Sequence, residues 1–151
     1  MDFQQGLITT IHEYGISTDS LKELTLKLKQ RPTAILIPCL YEEFQRPALK
    51  QIREVLRNLN GLNELIIALS AKSIEQVLEA EAFFASMPFK VVVQWTNSPS
   101  VIELLKDQEK NGLDLIGTPG KGWAVWQGLG ISTISSEVIA LFDADIRTFS
   151  P

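Results

Sequence analysis

Cysteine and histidine are nearly missing. The chain has one of each, Cys39 and His12. A single thiol closes no internal disulfide, so cysteine usage agrees with a reducing compartment. With His12 far away along the chain, Cys39 reads as a small packing residue rather than a nucleophile with a base beside it. No apolar run approaches the roughly 18 residues that span a bilayer. Met1-Asp2-Phe3-Gln4-Gln5 has neither the charged nor the apolar region of a signal peptide, so a cytoplasmic home and no membrane partner are expected. An excess of basic residues is missing too. Fourteen Lys and Arg stand against eighteen Asp and Glu, for a net charge of -4. They are scattered along the chain, which leaves no basic stripe for nucleic acid.

What is present is apolar material in regular blocks. With 45% hydrophobic content in 151 residues the chain buries one good core. Residues 1–32 read as an N-terminal arm, extended between Gly6 and Gly15, and a short helix. Ser20-Leu21-Lys22-Glu23 opens that helix with capping-box spacing, and it runs from Leu21 to about Gln30. Residues 33–151 then form one α/β domain. Thr33 to Ile37 is a buried strand that Pro38 ends, because proline has no N–H for the ladder. Pro47 fits the first position of a helix with the apolar face Leu49, Ile52, Val55, Leu56 and Leu59. Glu64 to Leu69 is a second strand. Ser73, with Gln76 as its reciprocal partner, caps a helix that packs through Ile74, Val77, Leu78 and Phe84. Lys90 to Trp95 is a third strand, and Ser100-Val101-Ile102-Glu103 repeats the capping box before a helix that stops near Asn111-Gly112. This alternation predicts a Rossmann-like, mostly parallel sheet with helices on both faces, joined by right-handed crossovers.

Two stretches carry chemistry. Val138 to Phe142 reads as a strand buried on both faces, and it runs into Asp143-Ala144-Asp145. Ligands of open parallel sheets bind beyond the C-terminal ends of the strands, which is where these carboxylates fall. Two carboxylates separated by one small residue suit a single hard cation, Mg²⁺ or Mn²⁺, that keeps coordination positions for substrate phosphates. Asp-x-Asp is also common in turns, where Asp bonds its own backbone. The preceding strand favours the ligand site. The second stretch, Gly117 to Gly130, is a glycine-rich loop entering a helix, suited to hold an anion on backbone N–H groups with Lys121 adding charge. It fails the P-loop pattern in the spacing of its first glycine and in the hydroxyl after lysine, and a plain turn is the alternative. Trp123 and Trp126, three apart, are expected to straddle the packing face of this helix rather than stack on a ligand.

Taken together, Ile37-Pro38-Cys39-Leu40-Tyr41-Glu42-Glu43, Gly120-Lys121-Gly122-Trp123-Ala124-Val125-Trp126 and Phe142-Asp143-Ala144-Asp145 resemble the nucleotide-sugar half of GT-A glycosyltransferases. Among these the glucosyl-3-phosphoglycerate or glucosylglycerate synthase group is the nearest. The resemblance implies that Pro38, Leu40 and Glu42 touch the base and ribose, and that Gly120, Lys121 and Asp143 lie at the nucleotide. It also implies that Asp143 and Asp145 hold Mg²⁺ or Mn²⁺, the second aspartate more directly. The implied partners are a nucleotide diphosphate sugar (UDP-, GDP- or ADP-glucose) and a small acceptor such as 3-phosphoglycerate or glycerate, with a homodimer allowed. Tyr41 stands where the family has Asn. Leu69-Ser70-Ala71-Lys72-Ser73 stands where it has a Gly-Ser-Thr-Asp exit, so the base is left open. The family's acceptor site and a further metal-ligating histidine lie beyond the Asp-x-Asp loop, and the sequence stops six residues after Asp145.

A donor-binding half of a metal-dependent hexosyltransferase, truncated and inactive alone, is therefore expected, with no general base assigned. A non-catalytic nucleotide-sugar-binding or regulatory module is the alternative. A haloacid-dehalogenase-like phosphatase also carries Asp-x-Asp after a strand, but there the motif opens the fold and a Gly and a Thr or Val follow it. Here it closes the chain, with Ile146 and Arg147 after it.

Overall fold

The computed structural model describes residues 18–112 and 120–147. The extended arm between Gly6 and Gly15, the loop residues 117–119 and residues 148–151 lie outside them. In chain order the elements are α1 (Thr18–Gln30), β1 (Thr33–Leu40), a 3-10 turn (Tyr41–Gln45), α2 (Pro47–Arg57), β2 (Glu64–Ser70), α3 (Ile74–Phe84), β3 (Lys90–Trp95), α4 (Pro99–Glu109), α5 (Lys121–Ser132) and β4 (Val138–Leu141). Among the described residues no helix is long and apolar enough to cross a membrane.

The four strands form one parallel sheet in the order β3-β2-β1-β4. From β1 the chain steps outward through β2 to β3, then crosses back to place β4 on the far side of β1. The order therefore reverses between β1 and β4, the switch point at which such sheets leave a crevice. Alternate residues of the strands feed two cores. Ile35, Ile37, Leu65, Ile67 and Leu69 pack with Leu49, Ile52 and Leu56 of α2 and with Val77, Ala80 and Phe84 of α3. Ala34, Leu36, Ile66 and Ala68 pack with Ala124 of α5. This is the expected α/β sheet with helices on both faces. α5 lies close on β1, because a Cβ at Gly128 would fall 2.3 Å from Leu36 Cδ1.

Several local expectations are corrected. α1 starts at Thr18, not Leu21. α4 starts at Pro99 with Ser98 as its cap, the Ser98 hydroxyl accepting from Val101 N at 3.2 Å, so the capping box read at Ser100 is displaced by two residues. Pro99 explains this, since it fits the first helical position. Ser73 does precede α3, but its hydroxyl makes no cap bond, and Gln76 Oε1 accepts from Lys72 N at 2.8 Å. Ile74 and Leu78 are half exposed, and the buried stripe of α3 is Val77, Ala80 and Phe84. β4 is an edge strand with Leu141 exposed, not a strand buried on both faces, because β1 is its only neighbour among the described strands.

The strand containing Pro38 also runs on. β1 continues to Leu40, pairing with β2 from Ala34 to Leu40, whereas its pairing with β4 stops at Leu36↔Leu141. Residues of one parity point to one neighbour. Leu36 O accepts from Phe142 N at 3.0 Å, so Pro38, two residues on, turns its N–H-less nitrogen to the β4 side. Proline ends one ladder and leaves the other intact.

Candidate functional site

A cavity of about 510 Å³ opens at the switch point. Pro38, Cys39 and Leu40 from the end of β1 and Glu43 from the 3-10 turn line it together with Gly120, Lys121, Trp123 and Ala124 from the start of α5. Asp143, Ala144 and Asp145 after β4 face them, and Ser70, Thr96 and Asn97 complete the wall. Three segments widely separated in sequence therefore meet in one crevice. Of the residues singled out from the sequence, Pro38, Leu40, Gly120, Lys121, Asp143 and Asp145 line it. Glu42 is not among the lining residues: it is exposed, and its Oε1 takes an ion pair from Lys72 Nζ at 3.2 Å. A hydrogen bond from its own backbone amide, with help from Lys72, holds the Glu42 carboxyl below the usual carboxylate range.

The charges are arranged in opposition. Lys121 Nζ is ion-paired with Asp143 Oδ1, each side chain about half exposed. The first-turn amides of α5 have no acceptor within their own helix, so this end carries partial positive charge beside the lysine. Glu43 is buried in the same wall lining, with Oε1 2.7 Å from Arg46 Nη1 and Oε2 buried without a partner among the described residues. Burial, reinforced by the Glu43 and Glu42 carboxylates, pushes the Cys39 thiol up to about 12, so the cysteine stays a neutral packing group as its sequence context suggested. Trp123 is buried and lines the cavity while Trp126 is half exposed, so of the two indoles expected to straddle the packing face one instead borders the candidate site.

The walls are braced from behind. Thr96 Oγ1 donates to Leu69 O at 3.0 Å, and Gln127 Nε2 donates to Thr96 O at 3.1 Å while its Oε1 accepts from Gln94 Nε2 at 2.9 Å. Gln127 of α5 is thereby tied to the exit of β3. Thr96, Asn97 and Gln127 carried no signal in the sequence, since nothing local shows that the exits of β2 and β3 meet the start of α5.

The donor set fits a hard divalent cation. Asp143 and Asp145 bring carboxylate oxygens to one cavity, and no group of three or more ligating side chains is gathered among the described residues. These two side chains would supply two oxygen donors, a number with which Mg²⁺ is commonly held when substrate phosphates fill other positions.

No protein-family model matches the sequence. Two curated relatives do. A glucosyl-3-phosphoglycerate synthase of Methanococcoides burtonii is 38% identical over 151 residues, covering 99% of this chain and 37% of the relative. One of Persephonella marina is 32% identical over 152 residues, covering 98% of this chain and 38% of the relative. Among solved structures, that of glucosyl-3-phosphoglycerate synthase from Mycobacterium tuberculosis in complex with Mn²⁺, UDP and glucosyl-3-phosphoglycerate superimposes with a TM-score of 0.56. It is 22% identical, covering 97% of this chain and 44% of that one, which shows a shared fold. Along nearly its whole length, then, the chain is homologous to a segment of the glucosyl-3-phosphoglycerate synthases and spans a little over a third of the curated relatives it matches.

Proposed function

We propose that the chain is the donor-binding part of a glycosyltransferase that moves glucose from a nucleotide diphosphate sugar, UDP-glucose in the first instance, to 3-phosphoglycerate with a divalent cation. The observation that carries this is the meeting of the Pro38 loop, the Lys121 helix start and the Asp143/Asp145 loop around one cavity at the switch point. The relatives' names supply the sugar and the acceptor. UDP and Mn²⁺ come from the complex that shares the fold.

Each lining group then has a task. Leu40, an exposed leucine at the mouth, offers an apolar surface to the base. The α5 amides and Lys121 draw the diphosphate. Asp143 and Asp145 are the residues that would hold Mg²⁺ or Mn²⁺, which when bound acts as Lewis acid toward a departing diphosphate. No side chain is proposed as a general base. The chain by itself is expected to bind the donor without turning it over, since rate depends on holding donor and acceptor in attack geometry.

Calorimetric titration of UDP with and without Mn²⁺ tests the reading. UDP should bind at least about tenfold more tightly with the metal, in line with ordinary coupling energies, and Asp145→Asn should abolish the difference. Equal affinity in both conditions rules out a metal-bridged diphosphate.

A further inference from the structure

One lysine faces two partners in this site. Lys121 opens α5, where the first-turn amides and the helix dipole attract an anion, yet its ammonium is spent on Asp143 of the Asp-x-Asp loop. Asp143 in turn is one of the two Asp-x-Asp carboxylates at the cavity, the third lining carboxylate, Glu43, being paired with Arg46. Three charges, the lysine, an incoming cation and an incoming anion, therefore bear on one carboxylate.

Resting on the nucleotide-diphosphate reading, we infer that Lys121 is an exchangeable counter-ion: it neutralises Asp143 until a diphosphate takes its ammonium, and so couples cation binding to nucleotide binding. A cation arriving alone must displace the ammonium from Asp143 or share the carboxylate with it. A diphosphate arriving alone must draw the ammonium away and leave Asp143 unpaired beside new negative charge. When both arrive the partners swap, lysine to phosphate and aspartate to metal, and no charge is left single. Lys121 has the freedom for this, because its side chain is 59% exposed and that of Asp143 is 47% exposed. The pair is a rim contact on a flexible four-carbon stem, not a buried lock.

The exchange predicts opposite signs for one substitution. Mn²⁺ binding in the absence of nucleotide, followed by electron paramagnetic resonance, should be about two- to fivefold tighter in Lys121→Gln, the range for an exposed ion pair, and near wild type in Lys121→Arg. UDP binding in EDTA should be weaker in Lys121→Gln and about two- to fivefold tighter in Asp143→Asn, which frees the lysine. Both groups are half exposed, so circular dichroism of the variants should match the wild type. Unchanged or weaker Mn²⁺ binding by Lys121→Gln, or none by any form, overturns the exchange. Failure of the wild type to bind UDP under any condition overturns the nucleotide reading instead, while the Mn²⁺ comparison still decides whether Lys121 holds Asp143.

Discussion

The Asn97 side chain grips the backbone of Ala71 with both ends of its amide: Oδ1 accepts from Ala71 N at 3.0 Å and Nδ2 donates to Ala71 O at 2.9 Å. Trp95 Nε1 donates to the same carbonyl at 3.0 Å. The exit of β3 thereby pins the exit of β2, and the wall formed by Ser70, Thr96 and Asn97 is one braced unit. Asn97→Ala orphans the Ala71 N–H but leaves the carbonyl served by Trp95. We expect a loss of about 1–2 kcal/mol in urea denaturation. Nucleotide affinity should fall beyond that, as the loop loosens.

Glu64 sets a pH dependence far from the cavity. Its carboxylate is fully buried and accepts from Ser135 Oγ at 2.5 Å, Lys90 Nζ at 3.0 Å and Ser136 Oγ at 3.1 Å, joining the starts of β2 and β3 to the segment before β4. Burial alone would raise it, but these donors and the Lys90 charge outweigh burial and hold it below its ordinary 4.5. A depressed carboxylate stabilises the fold above its unfolded value and loses that contribution as the pH falls through its folded one. Thermal unfolding of Glu64→Gln should therefore show a deficit of about 1–2 kcal/mol near neutrality, shrinking below pH 4.5. A deficit independent of pH would contradict this.

Two glycines of α5 should respond in opposite directions to alanine. At Gly128 the new Cβ would lie 2.3 Å from Leu36 Cδ1 and 3.1 Å from Cδ2, and Leu36 is fully buried in the central strand. Overpacking of about 1–3 kcal/mol should exceed the helix-propensity gain of about 1 kcal/mol. At Gly130 nothing among the described residues outside its own helix backbone and chain neighbours lies within 4 Å, so only the gain remains. Melting temperatures should fall for Gly128→Ala and rise for Gly130→Ala.

Trp123 should report ligand binding. Its indole is buried against the cavity with Nε1 unpartnered among the described residues, whereas Trp126 is half exposed and is not among the lining residues. UDP with Mn²⁺ should change intrinsic fluorescence in the wild type and in Trp126→Phe, and the change should be largely lost in Trp123→Phe.

The residues legible in the sequence were those whose chemistry is local. Val138-Ile139-Ala140-Leu141 before Asp143-Ala144-Asp145 reads as strand then carboxylates because the period and the charges adjoin. Lys121 is visible because glycines flank it. Asn97 is not, since its role depends on β3 lying beside β2, a fact of strand order rather than of spacing. The same holds for Glu64, whose serine donors are some seventy residues away. The edge position of β4 is illegible for a related reason: apolar content shows that a strand can be covered, and only the sheet order shows which strands are.

The missing N–H of Pro38 has a consequence for where the carboxylates stand. After Leu36 O takes Phe142 N, the next rung between β1 and β4 would run from residue 38 N–H to Phe142 O. Proline cannot make it. Like a zip with one tooth removed, the seam stops there, and the chain after Phe142 is released from the sheet just where Asp143 begins. A residue with an N–H at position 38 would invite the seam to run on and draw Asp143 to Asp145 flat against β1, narrowing the crevice from below. The opening of the site is in this sense written into the backbone of the neighbouring strand.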